Sequence, residues 1–269
     1  KKTATIGEDD KHNQICKLTR NSSASPAGSS GDIVLATSTI IAACTPGYEY
    51  SNLNMSSSTL MSLATNGTGG VITQKWDVNN LNTNPANDFN AFNGGLQVVN
   101  GFTFDSNTYY ISDYTNNRLG IFNGIDGTLE MASSIALPNP FGVKKGGEYY
   151  YLACKGNNHV YKFTSSLNVA ASWQLNTVTE PTEIVCSNAN VNGKTIVYVT
   201  SDTQKKIYAL DSSNGNVLYS FGLDGTDAAH GQFKEPYGIA ICGSGKLADL
   251  YIADPTNNCI VRFRNGVGW

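Results

Sequence analysis

The side chains of this 269-residue chain that could do chemistry are few and scattered. The histidines are His12, His159 and His230. Converging histidines would make a metal site, but no HExxH, GxSxG, P-loop or zinc-ligand spacing surrounds these three. Each reads better as a lone surface histidine. The cysteines are Cys16, Cys44, Cys154, Cys186, Cys242 and Cys259, with no CxxC pair among them, so zinc and redox motifs are unsupported. An even number in a Ser/Thr/Asn-rich chain instead predicts disulfides and an oxidising compartment. All six are disulfide candidates with the connectivity open; the competing reading is buried free thiols.

The carboxylates offer a little more. Asp9, Asp113 and Asp254 recur in similar surroundings, and hard cations take clustered oxygen ligands. Aspartate and asparagine at strand ends also cap turns by bonding their own backbone, and that structural role is the stronger expectation for Asp113, Asp254, Asn116, Asn157 and Asn257. Glu183 stands where related segments have Gly142 and Gly238, so a paired lysine or a bound cation could explain it; a solvated carboxylate is the plainer reading. Three triplets fit the N-glycosylation pattern at Asn21, Asn54 and Asn66, all in segments that read as turns. Low charge, cysteines and these triplets together point outside the cell.

The elements that must position these groups form a repeat. Tyr251 to Phe263 (YIADPTNNCIVRF) matches Tyr110 to Phe122 (YISDYTNNRLGIF) and Tyr151 to Phe163 (YLACKGNNHVYKF) without a gap. Tyr198 to Leu210 keeps the apolar frame and loses the Asn pair, and weaker copies lie at Ser62 to Trp76 and Ile6 to Leu18. The positions aligned with Asp254 are Asp9, Thr65, Asp113, Cys154 and Ser201, spaced 56, 48, 41, 47 and 53 residues apart. Four-stranded propeller blades repeat at about 40 to 50 residues. A Pro- or Gly-led strand precedes most copies, as at Pro236, Pro181, Pro140 and Gly94.

This pattern, Pro-x-Gly-Ile-Ala followed by Tyr-Ile-Ala-Asp-x-x-Asn-Asn, resembles the NHL repeat. The resemblance implies an all-β, six-bladed β-propeller of four-stranded antiparallel blades, with residues 1–269 as one domain. Such a scaffold serves unrelated functions, so it implies no particular activity. Propeller enzymes of related kinds hold axial Ca²⁺ or Zn²⁺ with several convergent side chains. That makes a metal-dependent hydrolase or lyase the alternative function and an axial Ca²⁺ the alternative cofactor; the leading expectation is no cofactor and no catalytic residue.

The first blade, with Asp32 to Ser38 as its outer strand, and the last, Tyr237 to Arg264, each lack one strand of four. The chain is therefore a fragment, or the end blades join, or another copy donates a strand. The expected partners are proteins, including copies of this chain through the seam, and glycans. Charged residues make up 14% of the chain and the net charge is −3, without a basic block, so the electrostatic footprint for nucleic acid is missing. No apolar run reaches the roughly 18 residues of a membrane span. The leading function is an extracellular, non-catalytic binding or structural module, a self-assembling subunit of an extracellular fibre or surface assembly.

Overall fold

Alternating apolar residues on both sides of a polar turn should fold as antiparallel hairpins, and the copies from Tyr110 onward do so. The computed structural model describes residues 14–20, 32–33, 36–43, 49–56, 59–65, 71–77, 92–187, 195–227, 231–242 and 249–263. The chain groups into two compact units. One comprises Lys1–Thr19, Ala36–Asn116 and Gly120–Ala132; the other comprises Arg20–Leu35, Asn117–Leu119 and Ser133–Trp269.

β1 (Gln14–Arg20) pairs with β3 (Ala36–Ala43), while β2 (Asp32–Ile33) between them in sequence joins neither. β4 (Glu49–Ser56), β5 (Thr59–Thr65) and β6 (Val71–Asp77) form a three-stranded antiparallel sheet. Then come three four-stranded meanders. They are β7 (Val99–Asp105) to β10 (Leu129–Ala132), with β8 (Thr108–Asp113) and β9 (Arg118–Asn123) inside; β11 (Pro140–Gly146), β12 (Tyr149–Cys154), β13 (His159–Phe163) and β14 (Val169–Gln174); and β15 (Pro181–Cys186), β16 (Ile196–Ser201), β17 (Lys206–Asp211) and β18 (Val217–Phe221). Short parallel strands β19 (Leu223–Asp224) and β20 (Gln232–Phe233) follow. β21 (Ile239–Cys242), β22 (Asp249–Asp254) and β23 (Cys259–Phe263) begin the last blade, and β2 completes it, with Asp32 opposite Arg262 and Ile33 opposite Val261.

Two expectations are corrected here. Four four-stranded blades form among the described residues, not six, because the weak upstream copies yield a strand pair and a three-stranded sheet. Asp32 to Ser38 is not the outer strand of a first blade: Asp32–Ile33 closes the last blade, and the next strand begins at Ala36. The seam is thus sealed from within the chain.

Blades hold together by giving one face to each neighbour. In β16 every residue is buried. Val197 and Val199 pack with Tyr151, Val160, Trp173 and Ile184 toward the blade before; Ile196 and Tyr198 pack with Phe233, Ile252, Val261 and Phe263 toward the blade after. Period-2 alternation lets one strand serve both cores. In the other unit, Met61, Leu63 and Val71 pack with Phe102, Tyr109, Ile111 and Phe122. Tyr150 and Tyr151 are likewise packed away from water, as the aromatic alternation suggests. Burying a side chain of this size contributes about 2 to 3 kcal/mol.

Candidate functional site

The recurring Asx hairpin shows what its residues do. Asn116 donates its backbone N–H to Asp113 Oδ1 (3.2 Å) and its Nδ2 to both Asp113 Oδ2 (2.8 Å) and Gly95 O (3.0 Å). Asn257 repeats this with Asp254 Oδ1 (3.2 Å), Asp254 Oδ2 (2.8 Å) and Gly225 O (3.1 Å). Asn116 and Asn257 are therefore staples between the hairpin and the segment leading into its blade, whereas Asn157 donates its Nδ2 to Tyr161 Oη (3.0 Å) within its own hairpin. Gln204 is a staple too, with Ser201 Oγ and Thr177 O. At the Asp position, Ser201 Oγ donates to Thr179 O (2.6 Å) and the Cys154 thiol to Pro138 O (2.9 Å). The second residue of the pair is left-handed in each of the four copies whose turn is described: Asn117 (φ 51°), Asn158 (56°), Lys205 (58°) and Asn258 (52°). Asparagine adopts that conformation at less cost than lysine. Lys205→Asn should therefore raise stability by about 0.5 to 1 kcal/mol, read as a higher urea midpoint at unchanged slope.

The lead-in strands carry a second recurring device. The β11–β12 ladder slips between Pro140 and Val143, and the β15–β16 ladder slips between Pro181 and Ile184. Such bulges re-aim side chains. Here they place Gly142 and Glu183 face to face across adjacent blades. A Cβ at Gly142 would stand 2.8 Å from Ile184 N, 2.9 Å from Glu183 Cα and 2.9 Å from Glu183 Oε2. The glutamate thus occupies the space that glycine vacates, and Gly142→Ala should cost about 1 to 3 kcal/mol in urea unfolding because backbone, not a flexible tip, must move.

Glu183 is buried, with its N–H on Thr200 Oγ1 (3.0 Å). Thr200 Oγ1 in turn reaches Thr182 Oγ1 (2.9 Å) and Tyr237 O (3.2 Å). Burial pulls the Lys144 ammonium below its usual range, and the Glu183 charge opposes that. Glu183 is therefore not the solvated carboxylate of the plainer reading, and the Lys144 charge acts on it. Beside it, Tyr237 meets Phe141 edge-on at 5.7 Å, and Lys155 bridges Asp202 (3.2 Å) and Glu180 (3.5 Å) within 6.0 Å of the Phe141 ring. Burial and the charges of Glu183, Asp202 and Glu235 push the Tyr237 phenol up to about 12. It therefore serves as a hydrogen-bond donor at neutral pH, not as a base. Tyr237 remains 40% exposed. The patch thus sets two aromatic rings beside an ammonium and a group of carboxylates.

The other predicted residues do not converge. His159 Nδ1 lies 2.8 Å from Asn157 O and the ring stacks on Tyr161, so it is part of the hairpin. His12, His230, Asp9, Asn21, Asn66 and Cys44 lie outside the described residues, and the side chain of Cys16 does too. Asn54 lies within β4, opposite Met61, and not in a turn. Cys154, Cys186, Cys242 and Cys259 carry free thiols, so no disulfide joins any two of these four. For Cys154 and Cys186 the reason is spatial. Cys154 sits opposite Pro140 at one end of β11, and Cys186 sits beside Gly146 at the other. A disulfide needs Cα atoms within about 7 Å. Among the described residues no three His, Cys, Asp or Glu side chains are grouped to hold a metal ion, and no helix is long and apolar enough to cross a membrane.

Four-stranded antiparallel sheets, those of the second unit packed face on face and the last completed by a strand from early in the chain, are the blades of a β-propeller. Solved structures agree. Streptogramin B lyase superposes with a TM-score of 0.54 at 14% identity, over 93% of this chain and 70% of that one. The WD40 β-propeller domain of Doa1 gives 0.54 at 10% identity, over 80% and 62%. The computationally designed Ika8 protein gives 0.50 at 10% identity, over 80% and 71%. At such identities the likeness concerns the fold alone. No protein-family model and no curated protein matches the chain.

Proposed function

We propose that the chain is an extracellular, NHL-like β-propeller that acts as a non-catalytic binding and structural module and assembles with copies of itself. The observation that carries this reading is the use made of its recurring polar residues. Asp113, Asp254, Asn116 and Asn257 spend their hydrogen bonds on the scaffold. What the molecule offers to others is surface. Its outer strands expose Met131 on β10, Val169 on β14, and Val217 and Leu218 on β18, and Tyr237 stands on the acidic patch. Exposed edge strands with apolar side chains are the usual means of recruiting another chain. The extracellular placing rests on low charge and the glycosylation triplets; the four free thiols add nothing to it.

The test is elemental analysis after dialysis against Ca²⁺ and Zn²⁺. The proposal expects no stoichiometric ion and no change in ion content on Asp254→Asn or Asp113→Asn. One ion per chain, lost in either variant, would turn the recurring acids into ligands and favour a metal-dependent hydrolase or lyase.

A further inference from the structure

The seam strand is unlike the other outer strands. β10, β14 and β18 have four, six and five residues; β2 has two. Each of those three follows its neighbour in the chain after a short connection, whereas β2 reaches β23 from the opposite end of the sequence. β2 therefore covers two of the five residues of β23. The seat itself is firmly built. Val261 is fully buried in the core with Phe233, Leu250 and Ile252, and Arg262 is held by the Asp249 carboxylate. The strand that fills it is the weakly held partner.

We propose that Asp32–Ile33 is exchanged between copies, so that the β2 of one chain closes the last blade of another. This rests on the self-assembly reading and names its partner, a second copy, and its contact, the β23 edge. The argument is one of identity. The seat already takes this segment in antiparallel register, Asp32 on Arg262 and Ile33 on Val261, so a second copy supplies an occupant that fits without any new surface. Exchange of an identical element is a low-cost route to association, because the same contacts form within or between chains. The balance is then set by concentration against the effective concentration of the chain's own segment. A donor whose own seat is filled by a third copy extends the contact into an open series, since the contact is head-to-tail.

Cysteine pairs at the two register positions read the exchange directly. In a Cys242→Ser, Cys259→Ser background, Ile33→Cys and Val261→Cys are placed in one chain, and separately in two chains that differ in tag mass. The two-chain mixture is unfolded, refolded together at high concentration and oxidised. The double variant should cross-link within the chain, at monomer mass. The mixture should give a reducible heterodimer that grows with concentration. Asp32→Cys with Arg262→Cys repeats the test away from the buried core, should Val261→Cys refold poorly. Cross-linking only in the double variant would overturn the proposal, as would no cross-link at all. Sedimentation of the unsubstituted protein separates the readings: large species without a heterodimer sink the exchange alone, and a monomer at every concentration sinks self-assembly with it.

Discussion

Asp254→Ala should lower stability by about 3 to 5 kcal/mol, one of the largest losses of any single substitution in this chain. The carboxylate has no exposed surface. It accepts Lys234 N–H (2.8 Å), Glu235 N–H (3.0 Å), Asn257 N–H (3.2 Å) and Asn257 Nδ2–H (2.8 Å). Hydrogen bonds to a charged acceptor contribute about 1.5 to 3 kcal/mol each, less than additively, because the buried charge itself costs solvation. Removing the acceptor leaves the donors without it in a part-buried turn. Asp254→Asn keeps one acceptor oxygen and should lose about half as much. Ser201→Ala, at the same repeat position, removes a single donor to Thr179 O and the acceptor for Gln204 N–H, and should cost about 1 to 2 kcal/mol. Urea midpoints at constant slope give the ranking. A loss below about 1 kcal/mol for Asp254→Ala would show that the staple is ornamental.

Alkaline pH should unfold the chain in a defined window. Burial pushes the thiols of Cys154 and Cys186 up to about 12, from an ordinary value of 9.0. Below pH 9 both folded and unfolded chains keep these protons, so stability does not respond. Between pH 9 and 12 the unfolded chain releases them while the folded chain holds them. The unfolded state then binds fewer protons, and stability falls as pH rises. Each buried thiol supplies a slope of about 1.4 kcal/mol per pH unit, so the pair costs on the order of 5 kcal/mol by pH 11. Tyr151, pushed up to about 12, and Tyr198, also raised, act in the same direction from about pH 10. Lys144, lowered by burial, acts in the opposite direction as pH approaches its ordinary value of 10.5, and offsets part of the loss. In reducing buffer, a Cys154→Ser, Cys186→Ala variant should lose most of the slope that begins at pH 9, keeping the share of Cys259, whose thiol burial also raises. Flat stability from pH 8 to 11 in the parent chain would contradict the burial of these thiols.

The hairpins were legible because their determinants are local. Period-2 alternation and the Asn-Asn turn are both visible in Tyr251 to Phe263, and the structure explains each residue of that turn: Asn257 staples and Asn258 takes the left-handed position. Glu183 also stood out, since it broke the glycine pattern set by Gly142 and Gly238. The bulge that aims it did not, because a register slip depends on the partner strand. The seam was hidden for a similar reason. Asp32–Ile33 is two residues long, and its register is set by β23 at the other end of the chain. Counting cysteines misled because parity carries no distance: Cys154 and Cys186 lie at opposite ends of one neighbouring strand. Asn54 read as a turn residue, whereas the strand Glu49–Ser56 runs through that position and pairs Asn54 with Met61. The Tyr237 patch had no local signal, since Phe141 and Lys155 come from one blade, Asp202 from the next and Tyr237 from the segment leading into the last.

The central claim is that this propeller works by gripping other molecules, copies of itself first. Negative-stain images of the purified protein over a wide range of concentration test it most directly. The expected result is multimeric particles that grow with concentration and persist after dilution. Single, unassociated particles at every concentration would contradict it.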